Sequence, residues 1–405
     1  MAVGTELLLG DIVNTNAQFI SQELAKIGVN VYRHSVVGDN AARLKAAFAQ
    51  AFEQADCVIA TGGLGPTDDD ITRETAAEFF GLPLVLHEES WQNIQNIFNR
   101  SGNRIPDNNI RQATLPKGCL VFHNRNGTAP GLCIEQNGKT LILLPGPPNE
   151  LVPMFLEHAV PFLRSKSDTL FVSKTLKLTG VGESRAAEIL KDMIDGQTNP
   201  TIAPYAKISE VWLRVTASAP DEAQAHALIA SVSEEIYRRL GAFIYGEDED
   251  SLESVVVALL KQKGWSLACA ESCTGGLLTG TLVNVPGVSD ILPEAFVTYS
   301  NEAKTARLGV SEEILRQHGA VSAEAAAAMA EGVMCASSAS VGLSVTGIAG
   351  PDGGTPDKPV GLVYLGLAIE GQKTQTKELF LSGNRAKIRQ RAVISALDFL
   401  RVNLK

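Results

Sequence analysis

The chain has 405 residues, too many for one ordinary core, and a prior of about 150 residues per domain points to two or three domains. Hydrophobic residues make up 45% and charged residues 20%, with mean hydropathy near zero; that is the profile of a globular chain, and no apolar run reaches the ~18 residues of a membrane helix, so no membrane partner is expected. The net charge of −10, with no lysine or arginine block, excludes the electrostatic footprint of nucleic-acid binding. The six cysteines (Cys57, Cys119, Cys133, Cys269, Cys273, Cys335) show no CxxC or Cys/His spacing and no secretory signal is visible, so the expected compartment is a reducing cytoplasm.

The chain opens with Met1-Ala-Val-Gly4-Thr5-Glu6-Leu-Leu-Leu-Gly10-Asp11, then Asn14-Thr15-Asn16, then a helical period through Phe19, Ile20, Leu24 and Ile27. Only a residue or two precede the Gly-Thr-Glu turn, against about five in an ordinary buried strand; this predicts a natural start a few residues upstream. A strand over 29–37, a helix over 41–55 and an apolar strand over 57–60 follow, and the alternation argues for a parallel sheet flanked by helices. That sheet delivers Thr61-Gly62-Gly63-Leu64-Gly65-Pro66-Thr67-Asp68-Asp69-Asp70-Ile71-Thr72-Arg73-Glu74. Glycines after a strand let backbone N–H groups approach a phosphate, and three successive carboxylates can hold a hard divalent cation against it. The plainer reading is an acidic first helical turn favoured by the helix dipole. A further strand over 141–144 runs into Pro145-Gly146-Pro147-Pro148-Asn149-Glu150. Three unusual turns then sit at the strand ends of one open parallel sheet, which is where such sheets bind ligands.

These turns resemble the molybdopterin-binding fold, in the version that forms the front half of the competence/damage-inducible protein A (CinA) family. Its Gly-Thr-Glu-Leu-Leu-Leu-Gly, Thr-Gly-Gly-Leu-Gly-Pro-Thr and Pro-Gly-Pro-Pro motifs all read through here. The resemblance implies a domain over 1–164 that binds a nucleotide through Gly4, Thr5, Glu6, Asn14, Asn16, Gly62, Gly63, Gly65, Pro66, Thr67, Thr72, Gly146, Pro147 and Pro148. It implies a divalent metal ion on Asp68, Asp69 and Asp70. Between 165 and 246 the pattern changes to a small α+β module, with strands over 170–178, 211–217 and 242–245 and helices over 182–193 and 221–240. In the CinA family this position is similar to a KH-type connecting domain. No GXXG loop or basic face is present, so a spacer or dimerisation element is expected and RNA is not. Gly246-Glu-Asp-Glu-Asp250 reads as a solvated linker.

The segment 247–405 returns to alternating strands and helices. An apolar run at 265–269 leads into Ala270-Glu271-Ser272-Cys273-Thr274-Gly275-Gly276 and then a helical stretch. Such a strand-to-helix turn presents backbone N–H groups and the positive helix end; equally, Gly275 and Gly276 make a tight turn and Ser272 or Thr274 a cap. Downstream, Phe296-Val-Thr-Tyr299-Ser300-Asn301-Glu302-Ala303-Lys304 places Tyr299, Ser300 and Lys304 near one turn. A buried strand over 341–345 ends in the glycine-rich Thr346-Gly347-Ile348-Ala349-Gly350-Pro351-Asp352-Gly353-Gly354, suited to cradling a phosphate. Arg385 and Arg389 open the last helix, and at least one is a phosphate clamp candidate. Only His318 lies in this part of the chain, with no obvious route to Ser272, so a Ser–Lys pair remains: Ser272 as nucleophile, Lys304 as base, and the N–H groups of 273–276 on the oxyanion. The set resembles the family's C-terminal nicotinamide-nucleotide amidohydrolase domain, whose Glu-Ser-Cys-Thr-Gly-Gly, Val-Thr-Tyr-Ser-Asn-Glu-x-Lys, Gly-Ile-Ala-Gly-Pro-x-Gly-Gly and Gly-x-Arg motifs stand unbroken. The resemblance implies hydrolysis of the nicotinamide mononucleotide carboxamide without a cofactor, with Tyr299 and Thr346 joining Ser272 and Lys304 as catalytic residues, Thr346 close to the amide, and Thr274, Gly275, Gly276, Ser300, Gly347, Gly350, Arg385 and Arg389 on the substrate. For the front domain it implies metal-dependent hydrolysis of ADP-ribose. A homodimer is expected. Two other readings stand: a front domain that binds a pterin or nucleotide without turnover, and a competence or DNA-damage role through protein partners, which rests on the family name alone.

Overall fold

In the computed structural model, which describes residues 1–101, 104–166 and 170–404, the chain divides into two units, Met1–Val172 with Ser218–His226 and Ser173–Ala217 with Ala227–Lys405. Both are α/β.

The first unit is built on a six-stranded sheet with spatial order Val36–Val37, Ala2–Val3, Cys57–Thr61, Lys139–Leu144, Gly131–Gln136, Leu120–Phe122. The first four strands are parallel and the last two antiparallel. Successive side chains of a strand point to opposite faces, and the core splits accordingly. Leu141 and Leu143 join Leu44, Phe48 and Ala76 on one face, while Ile142 and Leu144 join Ile20, Leu24 and Phe155 on the other. The result is three layers. The strand expected over 29–37 shrinks to Val36–Val37, because the neighbouring strand is only Ala2–Val3 and offers 29–35 no ladder to join; Tyr32 and Val31 are exposed there.

The middle segment forms a four-stranded sheet in the order Thr201–Lys207, Glu210–Ala219, Leu170–Thr179, Ile244–Glu247. Val211, Leu213, Val215 and Ala217 are buried and their neighbours are not, the alternation of a sheet covered on one side. The helix expected over 182–193 is two, Glu183–Ile189 and Lys191–Asp195, and the strand expected over 242–245 is Ile244–Glu247.

The third sheet runs Ala295–Val297, Leu267–Glu271, Val341–Gly347, Leu362–Ile369, Gln375–Phe380, the first three parallel and the last two antiparallel. Leu267 and Cys269 pack with the helices Leu252–Lys263 and Arg385–Leu404, whereas Ala268 and Ala270 pack with Leu308, Met329 and Val333. The register sets Glu271 beside both Val297 and Val345. Ser272 and Thr298 therefore leave the sheet beside Thr346, which stays in the ladder with Leu362–Ile369.

Candidate active site

At that sheet edge the chain turns at Ser272–Gly276 into the helix Leu277–Leu282. Gly275 and Gly276 have φ of +59° and +91°, a left-handed conformation that side chains with a Cβ disfavour. The Ser272 amide is held by the Val345 carbonyl at 2.9 Å and the Gly275 amide by the Ser272 carbonyl at 3.1 Å. From the neighbouring strand-turn-helix unit, Lys304 enters from the helix Asn301–Leu308 and is 1% exposed, against 9% for Ser272. Its Nζ lies 3.2 Å from Ser272 Oγ, 2.9 Å from the Thr298 carbonyl oxygen and 3.3 Å from that of Tyr299. Burial pushes the lysine below its ordinary value, opposed by Cys273 and Glu302. Burial also pushes the adjacent Cys273 thiol up to about 11, so it stays protonated near neutrality and is no competing nucleophile.

The other expected residues divide. Thr346 is fully buried and donates to the Ala320 carbonyl at 2.7 Å. Thr274 is fully buried, its hydroxyl lacks a partner among the described residues, and its carbonyl accepts from Arg389. Tyr299 is 62% exposed, and its hydroxyl accepts from Arg385, which also donates to the Gly350 carbonyl at 2.7 Å. Arg385 thus sits at the rim and Arg389 against the turn, where a Cβ on Gly275 would lie 3.5 Å from its guanidinium. Ser300 is the N-cap of the Lys304 helix, accepting from Ala303 N at 3.1 Å, so its hydroxyl has a structural duty. Gly347 and Gly350 pack tightly: added Cβ atoms would come within 2.7 Å and 2.6 Å of Val363 and Val360 side chains. The oxyanion donors expected over 273–276 reduce to two. The Gly275 and Gly276 amides are already bonded, and among the described residues those of Cys273 and Thr274 have no acceptor. Sequence reasoning missed Thr298, whose buried hydroxyl has no partner among the described residues, and the buried Glu271.

In the first unit the strand register brings Ala2 beside Thr61 and Thr61 beside Leu144. The three turns meet around a cavity of about 630 Å³ lined by Gly4, Glu6, Asn14, Asn16, Gly62, Gly63, Gly65, Pro66, Asp69, Asp70, Gly146, Pro147 and Pro148. Several of the expected residues hold the walls. Thr5 donates its hydroxyl to Asp39 at 2.8 Å, Asn14 caps its helix at Ala17 N, and Asn16 donates to the Gly146 carbonyl at 2.7 Å. Thr72 is buried, and its hydroxyl has no partner among the described residues. A Cβ on Gly62 (φ +100°) would lie 2.2 Å from the Val3 carbonyl oxygen. The amides of Gly63, Leu64 and Gly65 have no acceptor among the described residues. The three aspartates, however, do not converge, and no group of three or more His, Cys, Asp or Glu suited to a metal forms among the described residues. Asp68 is drawn 3.0 Å from Arg111, which also holds Glu74 and the Thr67 carbonyl. Asp70 accepts from Thr67 N and Oγ1. Of these three, only Asp69 and Asp70 are among the described residues that line the cavity, with Glu6, Asp39 and Glu150 elsewhere on its wall; consecutive residues on a turn diverge unless every loop bond points them inward. Arg111 carries no sequence signal, since its partners are 43 and 37 positions away.

Fold and sites together define an α/β protein with two candidate ligand sites, each at the carboxyl ends of parallel strands. Three family models match the chain: the probable molybdopterin binding domain over 1–165, the damage-inducible protein CinA KH domain over 173–246 and the CinA C-terminal domain over 249–404. A CinA-like protein of Dictyoglomus turgidum is 54% identical over 100% of this chain and 98% of its own. One of Kosmotoga olearia is 51% identical over 99% and 97%. The crystal structure of competence/damage inducible protein CihA from Agrobacterium tumefaciens is 40% identical, covering 38% of this chain and 93% of that one with a TM-score of 0.37. The chain belongs to the CinA family. Among the described residues no helix is long and apolar enough to cross a membrane.

Proposed function

We propose that the chain is a two-site hydrolase of pyridine-nucleotide fragments. The carboxyl-terminal site deamidates nicotinamide mononucleotide to nicotinate mononucleotide and ammonia, and the amino-terminal site hydrolyses ADP-ribose with a divalent metal ion. The observation that carries the reading is the buried contact between Lys304 Nζ and Ser272 Oγ. A neutral primary amine has two N–H donors and one lone pair, and a backbone carbonyl can only accept. With Thr298 and Tyr299 carbonyls taking the two hydrogens, the lone pair is left for the Ser272 hydroxyl. Lys304 takes the hydroxyl proton as Oγ bonds to the carboxamide carbon, and the Cys273 and Thr274 amides stabilise the oxyanion. Collapse breaks the C–N bond, with Lys304 returning the proton to the leaving ammonia. Water then attacks the acyl ester with Lys304 again as base, which releases nicotinate mononucleotide and restores Ser272. Arg385 and Tyr299 at the rim suit the phosphate and ribose.

At the amino-terminal cavity the donor set fits a magnesium-type ion, which takes one or two carboxylates and completes its shell with water and phosphate oxygens. Asp69 and Asp70 would hold it; when bound, it supplies charge neutralisation on the pyrophosphate. The free amides of 63–65 and the glycine turns bind and orient the phosphates. The diversion of Asp68 to Arg111 favours a second reading, a cavity that binds nucleotide without turnover. Incubation with each nucleotide, with and without divalent ion, decides. Ammonia from nicotinamide mononucleotide and metal-dependent AMP from ADP-ribose support the proposal; no AMP at any metal concentration leaves the amino-terminal cavity a binding module, and no ammonia refutes the amidohydrolase.

A further inference from the structure

Glu271 ends its strand one residue before Ser272 and is completely buried. Burying a carboxylate is costly unless hydrogen bonds or a cation compensate, and Glu271 has no ion-pair partner among the described residues. It is satisfied by four donors instead. Its Oε2 accepts from Gly276 N at 2.9 Å and Leu278 N at 3.0 Å, and its Oε1 accepts from Thr279 N at 2.8 Å and Thr279 Oγ1 at 2.6 Å. Those amides are ones that the start of the helix Leu277–Leu282 leaves unpaired, yet they lie five to eight positions away, beyond the reach of an ordinary N-cap. The carboxylate therefore ties the helix start to the strand end and closes the chain between them, Ser272 to Gly275, into a fixed loop.

The amides of that loop can be accounted for one by one. Ser272 donates to Val345, Gly275 to Ser272, Leu277 to Thr274, and Gly276, Leu278 and Thr279 donate to Glu271. Only Cys273 and Thr274 remain free among the described residues, and Arg389 fixes the Thr274 carbonyl on the far side of the turn. We infer that Glu271 is the positioning residue of the oxyanion site: by consuming the helix-start donors it sets the conformation in which the Cys273 and Thr274 amides serve the reaction. The inference rests on the amidohydrolase reading of Ser272.

A donor that acts only on the developing oxyanion lowers kcat and leaves KM alone when it is displaced. The test measures ammonia release from nicotinamide mononucleotide by wild type, Glu271→Gln, Thr279→Val and Thr279→Ser, alongside thermal unfolding. Gln turns an amide NH2 toward backbone donors, so Glu271→Gln is expected to lower kcat about 100-fold, the scale of a lost oxyanion donor, with KM within about twofold. Thr279→Val removes one of four bonds and is expected to lower kcat about tenfold, a loss that Thr279→Ser restores. If Glu271→Gln does not fold, the Thr279 pair carries the test by itself. Lower melting temperatures with kcat unchanged overturn the inference and leave Glu271 a structural cap; so does a rise in KM alone. A wild-type protein that releases no ammonia instead refutes the reading beneath it, and the inference falls with it.

Discussion

At the residue scale the question is what protonation state Lys304 holds. Its three close contacts are two carbonyls and a hydroxyl, with no carboxylate among them, and burial pushes its pKa down from 10.5. Only the neutral form can accept the Ser272 proton, so kcat/KM of amide hydrolysis is expected to rise with pH up to the depressed lysine value and level off below 10.5, where an ordinary lysine would still be charged. A profile that climbs only near 10.5 would contradict a desolvated base. Lys304→Arg keeps the charge but not the ability to lose a proton; ammonia release should vanish while nucleotide affinity, followed by calorimetry, is retained. Ser272→Ala should match it, and the double variant should lose little more than either, because members of one catalytic unit are non-additive. Near wild-type turnover in Lys304→Arg would reduce Lys304 to a substrate contact.

At the scale of elements, the turn after Cys57–Thr61 combines a glycine run that shapes a cavity with carboxylates at its edge. Gly62→Ala forces a Cβ to within 2.2 Å of the Val3 carbonyl oxygen at a φ of +100°, which should lower unfolding free energy by about 1–3 kcal/mol from backbone strain alone. Denaturant unfolding reads that, and an unchanged midpoint would show that the turn relaxes freely. Asp69→Ala and Asp70→Ala should each weaken metal binding, measured by titration with manganese, and with it metal-dependent AMP release. Asp68→Ala should do so less, since Asp68 is already paired with Arg111. Equal effects of all three would mean that the loop rearranges to gather every carboxylate.

For the whole molecule, each site draws its residues from one unit: the cavity from Met1–Val172 and the Ser272 site from 227–405. The activities should therefore fail separately. Chelation is expected to stop AMP release and spare ammonia release, and Lys304→Arg to do the reverse. Loss of both in one point variant whose circular dichroism is unchanged would refute two independent sites.

Much of this was readable in the sequence, because the signals are local. Apolar runs of four or five residues followed by glycine and hydroxyl turns announce parallel strands and their ligand-facing ends, and unbroken motifs around Ser272, Lys304 and Gly62 mark the family. The tertiary structure decided what depends on distant partners. It showed that 29–35 lacks a strand to pair with, that Asp68 belongs to an arginine 43 positions away, and that Ser300 serves as a cap. It also reduced four candidate oxyanion amides to two: Gly275 donates to the Ser272 carbonyl, and Gly276 to Glu271, a carboxylate that reads in sequence as an ordinary charged residue but is buried and consumes several backbone donors at once. Periodicity and turn chemistry act over a few residues, whereas the fate of a charge or a free N–H is settled by whatever the fold packs against it.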